Sequence, residues 1–317
     1  MLPTERACAP LRVAPEEAGV RLDAFLAARL GVARARARRL LAQGAVCVDG
    51  RPAAAAAKGA PLPAGALVEV SAPAEAAAER PLPEPGASLR VLAQGEGWIA
   101  VDKPAGVPVH PLRTGEAGTL LGALAARRPE MIGVGEGGLR SGVVHRLDVE
   151  TSGVVVFATS QACWDALRSA FAEHRVEKVY RAIVLGRLEG EGREEVGLVV
   201  ARHRPARVRV ADPRRDARGR GARMARLRWR ALEALDGATL VEVHLETGHL
   251  HQIRATFAHL AHPVAGDRLY GPPAADDPTG APRQMLHAAR VRAGDVLAES
   301  PDPSDFEAVL GRLRARR

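Results

Sequence analysis

The sequence predicts an α+β protein in two parts, a small basic unit followed by a larger region built around an antiparallel or mixed sheet. Three observations carry that expectation. At 317 residues the chain is long enough for two cores. Ala72 to Ser88 reads APAEAAAERPLPEPGAS, with Pro73, Pro81, Pro83 and Pro85 and almost no large apolar side chain, which is a linker composition. Beyond it, short Val/Ile/Leu-rich stretches and helical stretches succeed one another without the regular strand–helix alternation of a parallel sheet. The expected boundaries are 19–71 for the small unit, 72–88 for the linker and 89–317 for the larger domain.

In the small unit, Leu22, Phe25, Leu26 and Leu30 recur at helical spacing, and Asp23 suits the first turn. A second helix carries Arg34, Arg36, Arg38 and Arg39 before Leu40 and Leu41 and ends at Gly44, where a residue without Cβ caps it. Val46-Cys47-Val48 with Asp49-Gly50 reads as a strand entering a tight turn, and Leu67 to Val70 as a closing strand. In the larger region Trp98 to Val101, Val154 to Val156, Lys178 to Tyr180, Arg207 to Val210, Leu227 to Trp229 and Leu286 to Ala288 read as strands. Thr119 to Arg127, Gln161 to Glu173 and His251 to His259 read as helices. Between the apolar lead-in Gly142-Val143-Val144 and the run Val154 to Val156, the nine residues HRLDVETSG put Asp148 on a turn joining two strand-like segments.

Hydrophobic residues at 47% and charged residues at 26% are ordinary globular usage. A formal charge of +8 points to a polyanionic partner, because neutralised phosphates release condensed counterions. No segment approaches the roughly 18 consecutive apolar residues of a membrane span. Met1 to Gly19 lacks the apolar core of a secretory signal, so a cytoplasmic protein with no membrane partner is expected. Cys8, Cys47 and Cys163 are then thiols, spaced like neither a zinc site nor a disulfide framework.

A carboxylate flanked by Arg146 and followed by Thr151, Ser152 and Gly153 is arranged like a nucleophile or base on a loop held by rigid strands. Alone, such a D-x-x-[ST]-G would be read as a turn aspartate bonding its own backbone. The rest of the chain reverses that preference. HRLDxxTSG (His145 to Gly153), preceded by KPAG (Lys103 to Gly106) and His110-Pro111, is followed in order by Lys178-Val179-Tyr180, ETGHLHQIR (Glu246 to Arg254), HPVAGDRLYG (His262 to Gly271) and Leu286-His287-Ala288. This series resembles the RluA-type pseudouridine synthases over nearly the whole chain. Residues Gly19 to Ser71, with rLdxfLa, the arginine-rich helix and GxVxVdG, resemble the alpha-L RNA-binding module first described in a ribosomal small-subunit protein. They depart from it where Ala33-Arg34 replaces a Ser-Arg pair and in the featureless Ala53 to Ala57 run.

The first resemblance implies one extended, mixed, mainly antiparallel sheet with an active cleft across its middle. It implies RNA as partner and the isomerisation of uridine to pseudouridine, with no cofactor, no nucleotide and no metal. The reaction breaks the glycosidic bond, turns the base and rejoins it through carbon five. Asp148 is the expected catalytic residue, by attack on the anomeric carbon, addition to the pyrimidine ring or removal of a ribose proton, three routes left open. Arg254 matches the arginine that pairs with that aspartate, where a guanidinium holds a carboxylate by two hydrogen bonds. Tyr180 matches the tyrosine that lies against the target base. Arg146 matches the position that fills the space left by the extruded nucleotide. Large-subunit ribosomal RNA is the expected substrate, met by a monomer.

Lys103 and the stretch Arg202 to Arg230, including Arg204, Arg207, Arg209, Arg214, Arg215, Arg218, Arg220, Arg223, Arg226 and Arg228, are expected to extend the RNA-binding surface begun by Arg34, Arg36, Arg38 and Arg39. Asp212-Pro213 and Gly219 to Gly221 read as the loop of an arginine-lined hairpin. His249, Thr256 and Ala261 stand where the family has Arg, His and Gly. His244, His249, His251, His259 and His262 lack a Cys or carboxylate at ligand spacing, and Asp148 lacks the second acid of a glycosidase. The rival is a non-catalytic RNA-binding or ribosome-assembly factor that retains the fold.

Overall fold

The structure, a computed structural model, describes residues 10–30, 34–42, 44–53, 55–70, 80–203, 206–212 and 221–316. The side chains of Arg34, Arg36 and Arg39, and Cys8, Arg204, Arg214, Arg215, Arg218 and Arg220, lie outside the described set, as do residues 72–79 of the expected linker.

The N-terminal elements are β1 (Leu11–Arg12), α1 (Leu22–Leu30), α2 (Arg34–Ala42), β2 (Val46–Val48), β3 (Arg51–Pro52) and β4 (Leu67–Val70). The strands form an antiparallel sheet in the order β1-β4-β2-β3. Leu22, Phe25 and Leu26 of α1 pack with Ala37 and Leu41 of α2 against Val46 and Val68, the faces their spacing predicts. Gly44 takes φ 68°, the left-handed cap expected of it. Arg38 does not stand free as expected. Its Nε donates to Asp23 Oδ2 at 2.8 Å, and the Asp23 side chain is fully buried. Burial works against the Asp23 charge, but the bonds from Arg38 and Arg21 outweigh it and hold the carboxyl below its ordinary range.

The remaining elements are β5 (Arg90–Gly95), β6 (Trp98–Lys103), α3 (Leu120–Arg127), β7 (Ser152–Ala158), α4 (Gln161–Ala172), β8 (Glu177–Leu185), β9 (Glu191–His203), β10 (Ala206–Val210), β11 (Arg223–Leu235), β12 (Ala238–Leu245), α5 (Gln252–His259), β13 (Leu286–Ala293), β14 (Val296–Glu299) and α6 (Ser304–Ala315). Their strands make one mixed sheet in the order β10-β9-β11-β12-β8-β13-β7-β6-β5, with β14 beside β13. All pairings are antiparallel except β13 with β7. Both faces of the sheet are covered. Val154 and Val156 of β7 meet Trp164 and Leu167 of α4, while Val155 and Phe157 meet Leu121 and Leu124 of α3. A strand buried on both faces explains the unbroken apolar run there. Tyr180 and Ala182 of β8 pack towards Ile253 and Phe257 of α5, and Ile183 towards Phe306 and Leu310 of α6. No helix among the described residues is long and apolar enough to cross a membrane.

Two expectations change. The lead-in Gly142 to Val144 is not a strand. Val143 forms an isolated bridge to Phe157, and the next partner of β7 is a side chain, His145 Nε2, which accepts the Val156 N–H at 2.9 Å. The arginine-rich segments β10 and β11 do not pair as a hairpin, since they flank β9 on opposite sides. Ala211 N–H bonds Gly197 O at 2.7 Å and so extends the pairing of β10 with β9 by one residue.

Candidate active site

Asp148 lies at the start of a tight turn in which Thr151 N–H donates to its carbonyl at 3.1 Å. The following residues of the motif are anchored to two segments, 103–106 and 283–288. Val149 O accepts from Lys103 Nζ at 2.6 Å and Gly106 N at 2.9 Å. Glu150 O accepts from Arg283 Nη1 at 3.0 Å, and Thr151 Oγ1 accepts from Gln284 Nε2 at 2.7 Å. Ser152 Oγ bonds Arg283 Nη2 and His287 Nδ1 at 3.1 and 3.0 Å. Gly153 takes φ 111°, and a Cβ there would collide with the Ala288 backbone where β7 meets β13. Arg283 also forks onto Asp305 at 2.6 and 3.0 Å, which ties the turn to the first turn of α6.

The turn faces a cleft of about 620 Å³ whose walls include His145, Arg146, Asp148, Tyr180, His251 and Arg254. Arg254, on α5, reaches Asp148 Oδ2 through Nη1 at 2.8 Å. The expectation of two hydrogen bonds to Asp148 is not met. The fork of Arg254 is directed to Asp267, with Nε to Oδ2 at 2.6 Å and Nη2 to Oδ1 at 2.8 Å. Burial opposes the Arg254 charge, yet the bonds to Asp267 and Asp148 prevail and raise its pKa above the ordinary value. Asp267 is buried and also accepts the Leu269 and Tyr270 amides at 2.9 and 3.1 Å. It is the residue that sequence reasoning missed. Its signal was present in GDRLYG, but nothing local shows that this aspartate is the partner of Arg254.

Tyr180, on β8, is buried in the cleft wall. Burial, and then the charge of Asp148, raise its pKa, so the side chain works as a neutral phenol. Arg146 is exposed on the cleft wall and makes no ion pair with a described residue. His145 is stacked on Phe171 at 4.9 Å, and burial holds its pKa down to about 3.

Lys103 corrects the expected RNA-binding surface. It is fully buried, and its Nζ donates to Pro104 O, Val107 O and Val149 O at 2.9, 2.7 and 2.6 Å. Burial pulls its pKa down to about 7, while three carbonyl oxygens take all three donors of the charged form. Its work is to clamp the KPAG loop to the Asp148 turn. Several strand arginines are likewise paired. Arg228 meets Glu246 at 3.2 Å and Arg230 meets Glu242 at 3.2 Å.

The three departures from the motif are spread around α5. His249 Nε2 lies 2.9 Å from Met224 O on the cleft wall. Thr256 is buried with Oγ1 unpartnered. Ala261 takes φ 63°, the conformation in which a glycine carries no Cβ penalty. No cluster of three or more His, Cys, Asp or Glu side chains that could hold a metal occurs among the described residues.

The sequence matches the family model described as RNA pseudouridylate synthase over residues 97–259 and that of the S4 domain over residues 20–58. It is 38% identical over 306 residues to an uncharacterised RNA pseudouridine synthase of Mycobacterium bovis, covering 94% of this chain and 95% of that protein. It is 33% identical over 320 residues to ribosomal large subunit pseudouridine synthase D of Neisseria meningitidis, covering 96% and 81%. Among solved structures, human RNA pseudouridylate synthase domain containing 1 superposes with a TM-score of 0.57 at 25% identity, over 71% of this chain and 90% of that one.

Proposed function

Because the chain belongs to the RNA pseudouridylate synthase family, we propose that it converts specific uridines of large-subunit ribosomal RNA to pseudouridine, with Asp148 as the reacting carboxylate and without a cofactor. The observation that carries this reading is the asymmetric hold on Asp148. Arg254 fixes Oδ2 at 2.8 Å, whereas Oδ1 accepts no hydrogen bond from a described residue and so is left to act on an extruded nucleotide in the cleft. The choice of RNA is supported by the S4 match and by relatives named ribosomal large subunit pseudouridine synthase D. The proposal assigns RNA binding to residues 19–71, a linker to 72–88 and catalysis to 89–317.

The isomerisation is balanced within the nucleotide. The bond from the anomeric carbon to N1 breaks, one to carbon five forms, and the proton lost from carbon five is replaced by one gained at N1. The Asp148 carboxylate supplies either the attacking electron pair or the acceptor for a ribose proton. Arg254 keeps that carboxylate charged and oriented, and Asp267 keeps Arg254 in place. Tyr180 packs on the base as a phenol, and Arg146 enters the space the nucleotide vacates.

Purified wild-type protein is expected to form pseudouridine in unmodified large-subunit transcripts, and Asp148→Asn to lose that activity while binding RNA with similar affinity. Pseudouridine mapping in total RNA from cells with and without the gene then identifies the position. Wild-type protein that binds the transcripts but modifies none of them would sink the proposal and leave the binding-factor reading.

A further inference from the structure

The single guanidinium bond leaves room at Asp148 Oδ2 for a second donor, and His251 faces that oxygen, with Nε2 at 3.8 Å. His251 precedes α5 with φ 49°, a left-handed conformation that non-glycine residues adopt at a cost. Its ring is held at the other end. Nδ1 lies 3.0 Å from Tyr270 Oη, and the two rings meet nearly edge to face at 86°. Tyr270 Oη in turn accepts the Val208 N–H at 3.0 Å. Val208 sits on β10, the terminal strand, at the point where its register with β9 slips between Arg207 and Val208.

These contacts define the direction of the hydrogen bonds. The Val208 amide can only donate, so the one phenolic proton of Tyr270 is free to be given to His251 Nδ1. With Nδ1 accepting, the neutral imidazole carries its proton on Nε2, the atom that faces Asp148. Burial favours the neutral ring, the charges of Arg254 and Arg146 act the same way, and Asp148 and Asp267 oppose them. Arg207 and Arg254 lie 5.6 and 5.2 Å from the Tyr270 ring centre, within cation–π range.

We propose that Tyr270 and His251 form a positioning relay from the backbone of β10 to Asp148, in which Tyr270 sets the His251 tautomer and His251 Nε2–H becomes the second donor to Oδ2. The relay rests on the reading of Asp148 as the reacting carboxylate. Hydrogen bonds of this kind are commonly long before substrate binds and tighten in the complex. Both donors then converge on one oxygen, so that the other keeps a fixed direction towards the nucleotide.

Nitrogen-15 spectra of the wild-type protein and of Tyr270→Phe read the tautomer directly. His251 is expected with Nε2 protonated and Nδ1 bare in the wild type, and as a mixture of tautomers in Tyr270→Phe. Single-turnover rates on an unmodified large-subunit ribosomal transcript supply the second reading. His251→Ala is expected to be slower by about tenfold, the effect of losing one hydrogen bond to a charged group, with RNA affinity within twofold of wild type. His251→Gln, which can accept from Tyr270 and donate onward, recovers part of the loss. Tyr270→Phe falls between wild type and His251→Ala, and the double variant is no slower than His251→Ala alone. A wild-type ring protonated on Nδ1, or a double variant whose loss is the product of the single losses, overturns the relay. Asp148→Asn in the same series separates the two readings: full turnover there overturns the role of Asp148 and the relay with it, whereas lost turnover with multiplicative single losses overturns the relay alone.

Discussion

Asp267 shows why a charged site must be analysed as a set of partners. Arg254 is buried, and two of its three bonds to carboxylate oxygens go to Asp267. Asp267→Asn therefore leaves a buried cation with its main counter-charge removed. The expected result is a loss of about 3 kcal/mol in unfolding free energy and a fall in single-turnover rate of about a hundredfold, read by urea denaturation and by quench-flow. Unchanged stability would mean that Asp148 alone satisfies Arg254. Ala261 offers the opposite sign. Its φ of 63° imposes a Cβ penalty that Ala261→Gly removes, so the variant is expected to gain about 1 kcal/mol in the same titration; a loss would mean that the alanine methyl is needed for packing. That Asp148, Arg254 and Tyr180 would meet in one cleft was legible from the motifs, because each sits in a run of matching neighbours. Lys103 was misread because a sequence reports charge and not burial, and a lysine surrounded by three carbonyl oxygens is written like one in solvent.

Among the elements, β7 combines a regular backbone ladder with β6 and a side-chain partner at Val156. The spacing of its valines predicted the strand, and both-sided burial explains it. Its outer partner was not legible, because a histidine ring takes the place of a backbone carbonyl at Val156. That substitution has a pH signature. Burial holds the folded-state pKa of His145 at about 3, below the ordinary 6.5, so the unfolded chain binds a proton that the folded chain excludes. The stability this provides is complete above pH 6.5 and is lost as pH falls from there towards 3, by about 1.4 kcal/mol per unit once the unfolded ring is charged. His145→Gln keeps an acceptor for Val156 but removes the titration. The gap between wild type and variant in unfolding free energy should narrow steadily between pH 6.5 and 4.5; parallel curves would show that the ring titrates alike in both states.

Across the whole molecule, the net charge of +8 does not translate into a uniformly basic surface. Arg228 and Arg230 are paired with Glu246 and Glu242, Lys103 is buried, and Arg38 is bound to Asp23. The topology also separates the arginine-rich strands, which a reading of the chain in order had joined, because β9 lies between β10 and β11. Attraction to RNA must therefore come from those cations that lack acidic partners, and salt dependence counts them. Each phosphate contact contributes about 0.7 to 0.9 to the slope of log Kd against log salt concentration. Replacing Arg34, Arg36 and Arg39 together by alanine is expected to lower that slope by about 2 to 3, with the single-turnover rate at saturating RNA within twofold of wild type. Arg38→Ala should behave differently, lowering thermal stability because it strips a partner from the buried Asp23 carboxylate. A triple variant with an unchanged slope would remove α2 from the RNA interface and leave substrate attraction to the cleft and the outer strands.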